Sequence, residues 1–171
     1  MNRWTSKPAL LGLLGCALAA TAPAQALPAA CAGLDTAVGI RQVNAARAAG
    51  ARCGAGGSFA PVVLPLAWSP VLEGLARQQV AWLAQEGLLL HVGREGQTLS
   101  QRAQAVGYRF AQVAENLAQG QRDVPSVLAA WTASDSHCVN LYDPTVTEMA
   151  LACASAGDGR PMWVLVLGRP L

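Results

Sequence analysis

The sequence predicts an α+β domain, a layered sandwich whose sheet is covered on both sides. Three observations carry this. Leu72, Leu75, Ala76, Val80 and Leu83 recur at helical spacing. Residues 145–154 alternate between apolar and polar and residues 162–167 form a compact apolar run, with Gly157-Asp158-Gly159 between them, so the two read as a β-hairpin. Finally, helical segments stand in the order on either side of strand-like ones.

Residues 1–26 read as a secretory signal peptide. Arg3 and Lys7 precede the uncharged run Pro8 to Ala20, and Ala24-Gln25-Ala26 offers a small-x-small cleavage site. Leu13-Leu14-Gly15-Cys16 offers an alternative, a lipoprotein anchored at Cys16. Residues 27–34 then form an irregular arm, and residues 35–171 form the domain. Asp35 is an N-cap for a helix running to about Ala49, ended by Gly50, with Val38, Val43 and Ala46 as its apolar stripe and Ile40 widening it. Residues 51–66, with three glycines and two prolines, read as a loop.

Ser69-Pro70 opens a second helix that Gly87 stops. An apolar passage over residues 88–93 leads into a polar loop, and a brief helix near residues 99–105 is closed by Gly107-Tyr108. Residues 111–118 alternate weakly, as a strand would. Asp123-Val124-Pro125 starts another helix, with Val127, Leu128 and Trp131 facing inward. Residues 134–143 look too polar for a core element.

Of the 171 residues, 53% are hydrophobic and 13% charged, which excludes a disordered chain. The whole chain has 12 Lys+Arg against 10 Asp+Glu. Arg3 and Lys7 leave with the signal, so the processed chain carries no net charge and has no basic stripe. No nucleic-acid partner is expected. No apolar run long enough for a transmembrane helix remains after processing, and the domain is expected to be a monomer. Cys31, Cys53, Cys138 and Cys153 lie beyond the signal, an even number in an oxidising setting. Two disulfides follow, with three connectivities open.

Candidate chemistry is sparse. The only histidines are His91 and His137, both in polar, loop-like surroundings, and Glu115 and Glu148 fall inside apolar, strand-like passages. On an alternating strand Glu148 shares a face with Val146, Ala150 and Ala152, where a buried carboxylate needs a partner. There is no phosphate loop, no nucleophile elbow, no His-Glu-x-x-His pair and no Cys-x-x-Cys pair.

These residues resemble the CAP superfamily of cysteine-rich secretory proteins, antigen 5 and plant pathogenesis-related proteins. The resemblance runs through Val43-Asn44-Ala45-Ala46-Arg47, Leu66-Ala67-Trp68-Ser69-Pro70, His91-Val92-Gly93, Arg102, Gly107-Tyr108 and Glu115-Asn116-Leu117-Ala118. It continues in Trp131, Ser136-His137-Cys138-Val139-Asn140-Leu141 and Thr147-Glu148-Met149. Ala114, Leu90 and Asp135 depart from the usual pattern.

The resemblance implies an α-β-α sandwich and a cleft tetrad of His91, Glu115, His137 and Glu148. Asn116 takes a supporting role, and Asn140 ties a turn that begins at Ser136. Such a tetrad suits an exported binding module, periplasmic or extracellular, that holds zinc or another divalent cation such as copper or nickel. Its unknown partner is a small molecule, a lipid or a protein. A hydrolase using the same four residues, or Ser136 as a nearby hydroxyl, is the alternative of a different class, and lipid or sterol binding is a third. Bacterial relatives suggest a Cys53–Cys138 bridge, which leaves Cys31 for Cys153. A Cys31–Cys53 bridge is disfavoured because the first helix separates the two cysteines.

Overall fold

In the computed structural model the described residues are 1, 31, 34–62 and 64–171. The signal peptide, the Cys16 site and nearly all of the 27–34 arm lie outside them. Among these residues are five α-helices, α1 (Thr36–Ala49), α2 (Pro70–Glu86), α3 (Leu99–Ala105), α4 (Val124–Thr132) and α5 (Asp135–Tyr142). Six strands accompany them, β1 (Ala51–Arg52), β2 (Ser58–Phe59), β3 (Ala67–Trp68), β4 (Phe110–Gln119), β5 (Glu148–Ser155) and β6 (Pro161–Pro170).

The helix ends follow their local chemistry. The Asp35 carboxylate accepts from the Ala37 amide, and Asp123 and Thr98 each form a capping box with the residue three positions on. Gly87 closes α2 in the left-handed conformation at φ 69°.

The main sheet has the order β3-β5-β6-β4, antiparallel except for the short parallel pair β3–β5. Strand β6 explains why two layers of helix are needed. Residues 162–168 are all buried, and their alternation divides them between two cores. Trp163, Leu165 and Leu167 point to a cluster with Val43, Trp131 and Leu141, from α1, α4 and α5. Met162, Val164 and Val166 point to Leu72, Leu75, Val80 and Leu83 of α2 and Ala103 of α3. The expected α-β-α sandwich is the observed one.

Three expectations need correction. Residues 51–66 are not loop throughout, because β1 and β2 pair as a small antiparallel hairpin around a 3-10 turn at Gly54–Gly56. Residues 134–143 contain helix α5. Its polar composition misleads because only one narrow side, Cys138, Leu141 and Tyr142, is buried. On α1 the buried line is Gly39, Val43 and Arg47 rather than Val38, Val43 and Ala46. Arg47 can be buried because its Nη1 donates to the carbonyls of Leu141 (2.7 Å) and Asp143 (2.9 Å), which end α5. Burial lowers the Arg47 pKa against the pull of Asp143.

Candidate functional site

Because β4 alternates, Glu115 and Asn116 point to opposite faces of the sheet, Glu115 toward α2 and α3, Asn116 toward α5. Glu115 is the better hidden member of the His91–Glu115 pair. Its side chain is 2% exposed, while that of His91 is 61% exposed. His91 Nδ1 donates to Glu115 Oε1 at 3.0 Å, and Arg102 Nη2 donates to Glu115 Oε2 at 3.0 Å and to the His91 carbonyl at 3.0 Å. Both carboxylate oxygens are therefore committed, and the imidazole is held by its ring and by its backbone.

The loop carrying His91 is pinned on both sides. Gln79, buried on α2, donates from Nε2 to the carbonyls of Leu90 (2.8 Å) and Val92 (3.1 Å). Gly93 completes the seat, since a Cβ there would come within 2.7 Å of Arg102 Cδ. The hydrogen bond that His91 donates to Glu115 raises the His91 pKa, against burial and the Arg102 charge.

His137 stands on α5, not on a turn, and α5 packs on the opposite face of the sheet from Glu115. Asn116 Nδ2 donates to the His137 carbonyl at 2.8 Å, and Asn140 Nδ2 donates to Asn116 Oδ1 at 3.0 Å. Asn140 thus acts through Asn116 and not directly on the backbone, as the sequence suggested. Cys138, the next residue, is bonded to Cys53, which ties α5 to the small hairpin. Burial first, and then the charge of His91, lower the His137 pKa.

Glu148 begins β5 on the same face as Glu115, but two strands away and one row along, opposite Gly168. Its expected face-mates Ala150 and Ala152 are correct. Val146 is not among them, because the strand starts only at Glu148 and Val146 packs in the other core. Between the two glutamates the Tyr108 ring lies against Gly168, where any Cβ would collide with it. The Tyr108 hydroxyl is buried with no hydrogen-bond partner. Burial, reinforced by the neighbouring Glu148, pushes its pKa up.

Among the described residues no three His, Cys, Asp or Glu side chains gather closely enough to hold a metal ion. The four sequence candidates therefore do not form one donor cluster. His91 and Glu115 are joined by a hydrogen bond, His137 stands on α5 across the sheet from Glu115, and Glu148 lies beside Tyr108, two strands away. Sequence reasoning gave Arg102 no role in the site. The signal for it was an arginine on the inward side of a seven-residue helix, which requires a buried acid nearby.

Both disulfides have the pairing that the bacterial resemblance suggests, Cys31–Cys153 and Cys53–Cys138, with Cα separations of 5.2 and 5.4 Å. Bridges of this kind belong to an oxidising compartment, so the protein is an exported one. No helix among the described residues is long and apolar enough to cross a membrane.

A doubly bridged α-β-α sandwich with a histidine hydrogen-bonded to a buried glutamate on its sheet defines a class of exported domain. The chain belongs to the CAP family, the cysteine-rich secretory protein family, whose model matches residues 40–167. Solved structures agree in fold. An outer surface protein of Borrelia burgdorferi is 24% identical, with a TM-score of 0.57 over 62% of this chain and 78% of that one. An extracellular protein of Bacillus anthracis containing an SCP domain is 23% identical, with a TM-score of 0.55 over 62% of this chain and 34% of that one. A cysteine-rich secretory protein of Staphylococcus aureus is 16% identical, with a TM-score of 0.53 over 78% of this chain and 39% of that one. This chain thus spans well under half of the last two proteins. No curated protein matches it.

Proposed function

We propose that the chain is a binding module of the periplasm or the cell exterior whose two imidazoles, His91 and His137, take a divalent cation, zinc above all. One observation carries the reading. Glu115 accepts from His91 Nδ1, which fixes the tautomer and leaves Nε2 of a largely exposed ring as a free nitrogen donor. A carboxylate behind a histidine in this manner is the usual support of a metal-binding imidazole.

The donor set fits an open site of two protein nitrogens completed by water, not a closed four-ligand one. Glu115 is unsuited to bind the ion itself, since Arg102 already neutralises its second oxygen. When bound, the cation would supply a Lewis-acidic centre facing solvent. His91 and His137 would hold it, Glu115 would orient His91, and Asn116 would set the backbone of His137.

No observed contact favours the hydrolase reading. Among the described residues no hydroxyl is hydrogen-bonded to either imidazole. Calorimetric titration with zinc should give saturable heat for the wild type and none for His91→Ala or His137→Ala, while Glu115→Gln should weaken binding without abolishing it. Equal heats in all four proteins would overturn the proposal.

A further inference from the structure

Behind His91, on the outer side of the α2–α3 layer, lies a groove of about 520 Å³ that the imidazole pair does not use. We propose that this groove is a carbohydrate-binding site for an uncharged oligosaccharide. The size falls within the roughly 300–1,000 Å³ of small-ligand sites.

Its lining has an unusual chemistry. Gln78, Trp82 and Gln85 follow one another at helical spacing along α2, with Gln79 beside them and Gln97 opposite, so four amides ring one indole. Trp82 is half-buried, and Gln78 and Gln85 are exposed. A sugar ring has an apolar C–H face and an equatorial belt of hydroxyls. The indole face matches the first, and amides, which donate and accept in one plane, match the second.

The amides are also oriented in advance. Gln79 spends its Nε2 on two loop carbonyls, which leaves Oε1 without a donor among the described residues. Arg94 Nη2 donates to Gln85 Oε1 at 2.6 Å, which leaves the Gln85 amide nitrogen free.

Other ligand classes fit less well. An acyl chain would bury these amides without partners, at a desolvation penalty that its own contacts do not return. An anion would find no net positive charge. Arg102 is neutralised by Glu115, and the Arg94 guanidinium, hydrogen-bonded to the neutral Gln85 amide, is offset by the carboxylate of Glu95 on the same loop.

The test is a titration of the ¹⁵N-labelled protein, both disulfides intact, with chitotriose and with maltotriose, read at the tryptophan indole N–H signals. At least one sugar should move the Trp82 signal saturably. The signals of Trp131 and Trp163 should stay still, since their N–H groups are bonded to the carbonyls of Leu117 and Gln121. Trp82→Ala should abolish binding. Trp82→Phe, which keeps a ring, should retain part of it if the alanine variant does not fold. Gln78→Ala, at an exposed position with no hydrogen bond to lose, should weaken binding roughly tenfold with the rest of the spectrum unchanged. The proposal is overturned if neither sugar moves Trp82, if Gln78→Ala and Trp82→Phe bind as the wild type does, or if detergent micelles or an unrelated peptide move Trp82 where the sugars do not.

Discussion

Asn116 donates from its side-chain amide to the backbone carbonyl of His137 at 2.8 Å, so the strand that carries Glu115 also holds the helix that carries the second imidazole. Asn116 is fully buried, and its Oδ1 accepts from Asn140. Asn116→Ala should therefore strand two half-buried partners and lower stability by about 1–3 kcal/mol in urea unfolding. It should also displace the His137 ring signals in an NMR spectrum. A variant as stable as the wild type, with His137 unmoved, would remove Asn116 from the site.

The two histidines should titrate in opposite directions from the ordinary imidazole value. In the metal-free protein His91 should protonate above it, because Glu115 accepts its hydrogen bond, and His137 below it, because of burial and the His91 charge. In Glu115→Gln the His91 midpoint should fall while that of His137 changes little. NMR titration of the ring protons reads both, and a shared midpoint would contradict the arrangement.

Stability should follow with opposite signs. The folded-state pKa of His91 is raised, so its contribution is fully present below the unfolded value of roughly 6.5 and is lost as pH rises through the raised one. The folded-state pKa of His137 is lowered, so its contribution is present above roughly 6.5 and is lost as pH falls through the lowered one. Urea midpoints measured from pH 5 to 8 should lose their acid-side fall in His137→Ala and their fall near neutrality in His91→Ala.

Arg47→Ala should destabilise the domain by about 3 kcal/mol, since it removes a fully buried side chain and leaves the carbonyls of Leu141 and Asp143 unbonded at the end of α5. Arg47→Lys should recover only part of this, because one ammonium nitrogen can serve both carbonyls as Nη1 does, but the lysine side chain is shorter and its charge more strongly hydrated. Thermal unfolding of the two variants distinguishes a bonding role from simple volume.

Gly168→Ala should lower stability by about 1–3 kcal/mol, because the new methyl group meets the Tyr108 ring in a closed layer. Pairing it with Tyr108→Ala should return much of the Gly168→Ala loss. Additive losses in the double variant would show that the two residues do not meet.

Where burial follows a simple period, the sequence is legible. Helix α2, with five core residues on one stripe, a proline start and a glycine stop, could be read almost to the residue, and the β5–β6 hairpin could be read at its turn, though β5 starts three residues later and β6 ends three residues later than its apolar pattern. Helix α5 and the buried face of α1 were hidden, because their inward residues include Arg47 and a disulfide-bonded cysteine. Polarity scales count an arginine as outward, whatever carbonyls await it. In the cleft, His91 and Glu115 could be picked out through the family resemblance, and their pairing is visible. The part played by Arg102, and the separation of Glu148 by Tyr108, depend on which strands are neighbours. The β4-β6-β5 order is a long-range property that no local pattern encodes.

The two bridges are nested, Cys53–Cys138 lying inside the loop that Cys31 and Cys153 close across 122 residues. A chain threaded out of the cytoplasm N-terminus first delivers Cys31 and Cys53 to the oxidising side while both of their native partners are still to come. Joined in order of arrival, they would form a linkage that the finished domain does not contain. Correct assembly then requires either that oxidation wait for the last strands or that an isomerase reshuffle the early bond through thiol–disulfide exchange. The yield of native protein in a cell should accordingly follow that cell's capacity to unscramble disulfides, however stable the completed sandwich is.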